Sequence, residues 1–181
     1  MIKRYGIIGC GMMGQEHLRN INLINDAVAY AIYEPNVNMQ KMAKKLAPDA
    51  KFYDSLDKIL SDENIDCWLI VSPNHLHMDQ LEQLAGIPHR PILVEKPLFT
   101  EIKHLERIKN FSIKYSAPVW VAMEYRYMPP IAELIKRQNN VTGSIKMLSI
   151  REHRFPFLPK VDDWNRFNKN SGGTFVEKCC H

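Results

Sequence analysis

Gly9-Cys10-Gly11-Met12-Met13-Gly14 sets three glycines at GxGxxG spacing, directly after the apolar run Tyr5 to Ile8 and at the start of a segment with helical periodicity. Each glycine has a physical task in that setting. The first permits a tight turn, the second lets backbone approach a diphosphate, and the third lets helix pack on strand, with the diphosphate at the helix's positive end. A glycine-rich turn without a ligand is the plainer alternative. Glu34 closes the next apolar run, where a carboxylate can accept from a ribose diol and repel a 2′-phosphate, so NAD is expected over NADP. A solvated loop acid beside Pro35, or the glycine loop and acid of a methyltransferase, would show the same residues.

Two further segments carry chemistry-bearing side chains. Ser72-Pro73-Asn74-His75-Leu76-His77 follows the apolar run Cys67 to Val71, and Glu95-Lys96-Pro97 follows Pro91 to Val94. If those runs are parallel strands, both segments fall at the carboxyl edge of the sheet, where open α/β folds bind ligands. Taken alone, each also reads as a proline turn capped by Asn74 or Ser72, and as a surface lysine held by Pro97.

The elements that must position these residues are legible as short apolar runs alternating with amphipathic stretches, the pattern of βαβ units. Strands are expected at Tyr5 to Ile8, Ala27 to Tyr33, Lys51 to Tyr53, Cys67 to Val71, Pro91 to Val94 and Pro118 to Met123. Several are apolar on both parities, as strands covered on both faces should be. Helices are expected at Met13 to Ile24, Val37 to Leu46, Leu56 to Leu60, His75 to Ala85 and Glu101 to Ser112. The last shows Ile102, Leu105, Ile108 and Phe111 behind Thr100 as N-cap. Gly86 stands where a helix C′ glycine would, and Pro48 closes the second helix. The expected fold class is α/β, a doubly wound parallel sheet of Rossmann type over residues 1–123. Residues 124–181 read as the incomplete start of a second, α+β domain. It would hold a short helix from Ile131 to Arg137, a polar turn around Asn139 to Gly143, and a half-exposed strand from Ile145 to Arg154.

Composition narrows the class of function. The 181 residues are 45% hydrophobic and 24% charged, which argues against disorder. No apolar run approaches the roughly 18 residues of a bilayer span, so no membrane partner is expected. The net charge of +4 comes from scattered basic residues, so no nucleic-acid partner is expected either. Cys10, Cys67, Cys179 and Cys180 form no CxxC pair, which reads as a reducing, cytoplasmic compartment. Zinc at Glu177, Cys179, Cys180 and His181 is set aside because vicinal cysteines splay to different helix faces; no metal is expected.

Together and in this order, the glycine loop, Glu34, the SPNHxH segment, EKP, Tyr125-Arg126-Tyr127-Met128-Pro129 and the stretch from Gly172-Gly173 to His181 resemble the Gfo/Idh/MocA family of dinucleotide-dependent oxidoreductases. The resemblance covers essentially the whole chain. It implies that Lys96 touches cofactor and substrate, and that Glu177, where the family usually has Asp, and His181 are the acid and histidine of the site. Spacing of four on a helix would let Glu177 orient His181. The implied reaction is hydride transfer between nicotinamide and a secondary alcohol carbon of a sugar, polyol or related hydroxylated compound. Lys96, His181 and Glu177 are the catalytic candidates. Gly9, Cys10, Gly11, Met12, Met13, Gly14, Glu34, Ser72, Pro73, Asn74, His77, Glu95 and Lys96 would line the cofactor pocket. Arg126, Trp164, Asn165 and Arg166 are the substrate candidates; Trp164 could equally anchor its loop. The alternative is a dinucleotide-binding protein without turnover, a sensor or oligomer partner. Because a lone strand cannot pair its ladder, the chain is expected to continue past His181, or to complete its second-domain sheet through a homo-oligomer.

Overall fold

The computed structural model describes residues 1–141, 143–149, 151 and 159–178. Six strands, β1 (Lys3–Ile8), β2 (Ala27–Tyr33), β3 (Lys51–Tyr53), β4 (Cys67–Ile70), β5 (Ile92–Glu95) and β6 (Val119–Ala122), form one sheet in the order β3-β2-β1-β4-β5-β6. Every pairing is parallel. The helices between them are α1 (Met12–Ile21), α2 (Val37–Leu46), α3 (Leu56–Leu60), α4 (His77–Leu84) and α5 (Leu105–Lys114).

Alternation along each strand divides the core in two, because successive side chains leave opposite faces of a sheet. Ile7, Ile32 and Leu69 pack with Leu18 and Ile21 of α1 and Ala43 of α2. Ile8, Ala31, Trp68, Ile70 and Val94 pack on the other face with Ile59, Leu81, Leu84 and Phe111 from α3, α4 and α5. Both faces are therefore covered, which is why β4 reads as an unbroken apolar run.

Three local expectations are corrected. Thr100 caps nothing: Glu101 is the N-cap of a 3-10 turn over Ile102–His104 that precedes α5. The apolar stripe of that segment is buried only at its C-terminal end, Phe111 being 5% and Ile102 81% exposed. Steps of three residues fall about 60° short of a full turn in an α-helix, so four such residues drift around the axis instead of sharing a face. Gly86 does stand at C′ of α4, after the Ala85 C-cap, with its N–H on the Gln83 carbonyl at 3.0 Å, although its φ is not left-handed. The Ile145 to Arg154 strand is also not found among the described residues, where 145–149 carry no regular structure and Ile145, Met147 and Leu148 are exposed.

Contacts gather Met1–Ala122 and the described residues from Lys160 onward into one compact unit; the described part of Met123–Pro159, with α6 (Pro129–Val141), makes the other. Whereas all of 124–181 was expected to open a second domain, residues 160–178 lie in the first unit. They comprise a 3-10 segment over Val161–Arg166, α7 (Asn168–Ser171) and α8 (Thr174–Lys178). The reason is local: α7 packs on the turn that follows β4, and Lys96 bonds to α8.

A charge clamp joins the amino-terminal ends of the central strands β1 and β4. The Arg4 guanidinium holds Asp66 through Nε at 3.1 Å and Nη2 at 3.1 Å, and the Arg4 N–H adds a bond at 2.9 Å. The Arg4 hydrogen bonds hold the Asp66 carboxyl at about 2 against an ordinary 3.8. A carboxylate lowered by folding stabilises above its ordinary value and loses that contribution as pH falls toward the folded value. Asp66→Asn is therefore expected to flatten the loss of stability between pH 3.8 and about 2 in denaturant titrations. An unaltered acid slope would remove the clamp from the account.

Candidate functional site

The strand order reverses between β1 and β4, opening a crevice at their carboxyl ends. The glycine loop leaves β1 there. Gly9 has φ +93°, and a Cβ on it would lie 2.7 Å from the Ser72 backbone, so this glycine is required by the close approach of the two loops. Gly14 is required too: a Cβ would lie 2.7 Å from the Gly9 carbonyl oxygen. Gly11 differs, since its φ is −64° and a Cβ would meet open space. Nothing within the described fold asks for glycine at that position.

The helix that follows is also left open at its start. Asn36 and Ser55 cap α2 and α3 with side-chain oxygens, but α1 has Gly11 as N-cap, no side-chain cap and no acid in its first turn. Its first amides and the positive end of its dipole are available to an anion, and the bare Gly11 lets one come close. The residues fit a dinucleotide diphosphate. Met12 is exposed at the mouth of the loop and Met13 half-buried.

Glu34, buried at the end of β2, is tied to the loop. It accepts the Cys10 N–H at 2.5 Å through one oxygen and the Asn36 N–H at 2.8 Å through the other. A carboxylate has about four acceptor positions, so room for a ribose hydroxyl remains. Burial, and then the Glu34 charge, push the Cys10 thiol up, leaving it an inert core residue.

Beyond β4, Ser72 donates its hydroxyl to Gln80 Oε1 at 2.6 Å. Pro73 opens the 3-10 turn Asn74–Leu76, and Asn74 is buried with its Nδ2 lacking an acceptor among the described residues. His77 is fully buried between the Pro97 carbonyl, 2.8 Å from Nδ1, and the Ser72 carbonyl, 3.0 Å from Nε2. Burial pushes its pKa down despite those two acceptors, so the ring is neutral and donates to one carbonyl at a time. His77 thus clamps the β4 loop to the EKP turn. Glu95 and Lys96 stand at the end of β5. Glu95 Oε1 lies 2.7 Å from His17 Nε2 of α1, and the Lys96 Nζ donates to the main-chain carbonyl of Glu177 at 2.9 Å.

The segment 160–178 closes over this edge. Glu177 is buried, with Lys178 Nζ 2.9 Å and Lys160 Nζ 3.9 Å from its Oε1. Lys160 also lies over the Trp164 ring, 4.5 Å from its centroid, and the His75 ring stands 6.4 Å from that of Trp164. Burial pushes the Lys160 amine down, Lys178 and Lys96 push it the same way, and Glu177 and Glu95 oppose them.

The structure therefore gathers the glycine loop, Glu34, the SPNHxH segment, Glu95, Lys96, Trp164 and Glu177 within one unit. Asn165 is half-buried there with its Oδ1 lacking a donor among the described residues. Arg166 is exposed and paired with Asp163 at 3.1 Å. Arg126 belongs to the other unit, and His181 lies outside the described residues. Sequence reasoning missed His17 and Lys160. His17 had a signal, since Gly14, His17, Leu18 and Ile21 share the inward stripe of α1 and a polar residue on such a stripe demands a partner. Lys160 sits in an irregular stretch without one. Among the described residues no group of three side chains could hold a metal.

Comparison with known proteins agrees with this fold. The chain is 26% identical over 180 residues to a myo-inositol 2-dehydrogenase of Thermotoga maritima, covering 98% of this chain and 52% of that protein. It is 31% identical over 160 residues to an inositol 2-dehydrogenase of Paracoccus denitrificans, covering 86% of this chain and 47% of the relative. The chain thus spans about half the length of these curated relatives. A myo-inositol dehydrogenase from Lactobacillus casei, solved with NAD(H) and myo-inositol, superposes with TM-score 0.71 at 26% identity over 80% of this chain and 43% of its own. A WlbA dehydrogenase from Thermus thermophilus gives TM-score 0.75 over 98% of this chain and 59% of its own; at 20% identity it speaks for the fold alone. The family model for oxidoreductases with an NAD-binding Rossmann fold matches residues 3–123, so the chain belongs to the Gfo/Idh/MocA oxidoreductase family.

Proposed function

We propose that this protein binds NAD at the β1–β4 crevice and serves the oxidation or reduction of a secondary alcohol carbon on a sugar, polyol or related hydroxylated compound. The observation that carries the reading is the meeting of Lys96 with α8 at the carboxyl edge of a sheet whose glycine loop is open at Gly11. When bound, NAD supplies the acceptor for the hydride that leaves the alcohol carbon. The chain's own residues do the rest. The α1 amides take the diphosphate and Glu34 takes the ribose diol. The Lys96 ammonium steadies the negative charge that develops on the substrate oxygen. His181 receives the hydroxyl proton, and Glu177, held by its lysines, positions it. The inositol dehydrogenases among the relatives make cyclic polyols the first substrates to try. A sugar or polyol with adjacent hydroxyls fits the polar half-buried loop around Trp164 and Asn165.

Two features beyond the site belong to the same reading. A reducing, cytoplasmic setting accords with the free thiols of Cys10 and Cys67, and no described helix is long and apolar enough to cross a membrane. Assembly of a homo-oligomer through residues 124–159 would cover the exposed Ile145, Met147 and Leu148.

The test is the absorbance of reduced nicotinamide when the protein meets NAD and a panel of polyols and sugars. NAD binding without reduction of any member would leave the non-catalytic reading. Cofactor choice is tested separately. NAD is expected to bind more tightly than NADP, since a 2′-phosphate would meet the buried Glu34 carboxylate with like charge. Glu34→Ala should narrow the gap, and should also weaken NAD by freeing the Cys10 and Asn36 amides. Tighter binding of NADP by the unaltered protein would refute the ribose role of Glu34.

A further inference from the structure

We propose that the substrate taken beside Lys96 carries an anionic group, a carboxylate or a phosphate ester, and that the Lys160 ammonium receives it. This rests on the reading of the crevice as a hydride-transfer site and names the class of compound that enters it.

Lys160 is not placed as a surface lysine is. Its side chain is only 22% exposed, although a four-carbon stem could carry the ammonium out to water. The Trp164 face holds it instead, with the amine 4.5 Å from the ring centroid. Keeping an ammonium there costs desolvation, which the ring offsets in part and a matching negative charge would offset further. The carboxylate it faces does not supply a full one. Glu177 Oε1 lies 3.9 Å from Lys160 but 2.9 Å from Lys178, and the Glu177 carbonyl takes Lys96. The other nearby acid, Glu95, is engaged by His17 at 2.7 Å. Two ammonium groups thus share one carboxylate while a third, Lys96, takes the main-chain carbonyl of the same residue; burial is the chief cause that lowers the Lys160 amine, and Lys178 and Lys96 add to it. A neutral polyol needs a single cation at its reacting oxygen, for which Lys96 suffices. A second ammonium, fixed by an aromatic face next to the first, matches an anion elsewhere on the same molecule.

The test reads Lys160 itself. Limited acetylation of the 181-residue protein near neutral pH, followed by peptide mass spectrometry, gives the reactivity of each lysine. D-Glucuronate or D-glucose 6-phosphate should slow modification of Lys160 at concentrations at least about tenfold below those of D-glucose, the scale of one charge-assisted hydrogen bond. Whichever of the two protects better identifies the carboxylate or the phosphate. Inorganic phosphate should protect poorly, because it lacks the hydroxylated ring. Direct binding of the better anion should be lost in Lys160→Gln and kept in Lys160→Arg, which guards against a variant that merely misfolds. Equal protection by D-glucose, equal protection by inorganic phosphate, or none by either sugar anion would overturn the proposal. Protection without nicotinamide reduction would keep the anion site and sink the hydride-transfer reading. Reduction driven equally by D-glucose, with Lys160 unprotected, would do the reverse.

Discussion

Lys96→Met is expected to cut NAD-dependent turnover by about a hundredfold or more, the usual effect of losing one preorganised donor to a developing oxyanion. Dinucleotide affinity should fall far less, because the diphosphate and ribose are held at the other end of the crevice. Methionine keeps most of the length of the stem, and removes the charge and the hydrogen bond to the Glu177 carbonyl. That carbonyl would then be left short of a donor, so a loss of stability of about 1 kcal/mol accompanies the loss of rate. Steady-state kinetics beside titration of NADH fluorescence separates the two. A variant turning over at the original rate would return Lys96 to the role of a structural tie between β5 and α8.

The second large effect divides the glycines of the loop. Gly9→Ala puts a Cβ 2.7 Å from the Ser72 backbone at φ +93°, where neither the turn nor β4 can yield without breaking pairing. Backbone strain of about 1–3 kcal/mol and overpacking of a similar size should add to roughly 3–5 kcal/mol. Dinucleotide binding should disappear with the loop geometry. Gly11→Ala should do the opposite to stability, leaving it unchanged or raising it by about half a kcal/mol through the unfolded chain. It should nevertheless weaken dinucleotide binding by about tenfold or more, since its methyl would stand in the space the diphosphate requires. Thermal unfolding and a binding titration on both variants decide the matter. Equal destabilisation by the two would mean that Gly11 serves the fold, and would remove the main support for the diphosphate site.

What the sequence made legible was what repeats at short range. Alternating apolar runs placed all six strands, and Ala27–Tyr33, Val37–Leu46 and Leu56–Leu60 were read with the ends the structure gives them. The error at Ile102–His104 has a local cause: 3-10 turns have three residues per turn, so the i, i+3 apolar pair Ile102 and Leu105 looks like the start of an α-helix. The glycine loop, Glu34 and EKP were readable because each hangs on the end of a strand. Hidden from the sequence were the contacts that join distant segments, namely His17 with Glu95, His77 with Pro97 and Lys160 with Trp164 and Glu177. Neither helical nor strand periodicity encodes such pairs. The return of residues 160–178 to the first unit was invisible for the same reason.

The bond from Lys96 to the Glu177 carbonyl joins residues 81 positions apart. Its consequence concerns time. The crevice proposed for the dinucleotide is built from β1, α1, β2 and β4, and can form while the chain is still being synthesised, since N-terminal portions fold first. The reacting end must wait for a long loop to close, at an entropic cost that grows with loop length and is repaid only once α7 and α8 have docked. A newly made molecule would pass through a stage able to hold a dinucleotide before it can position a substrate. In amide exchange, the α8 protons should open at lower free energy than those of β1 and β4, so the same order would appear in reverse whenever the molecule breathes.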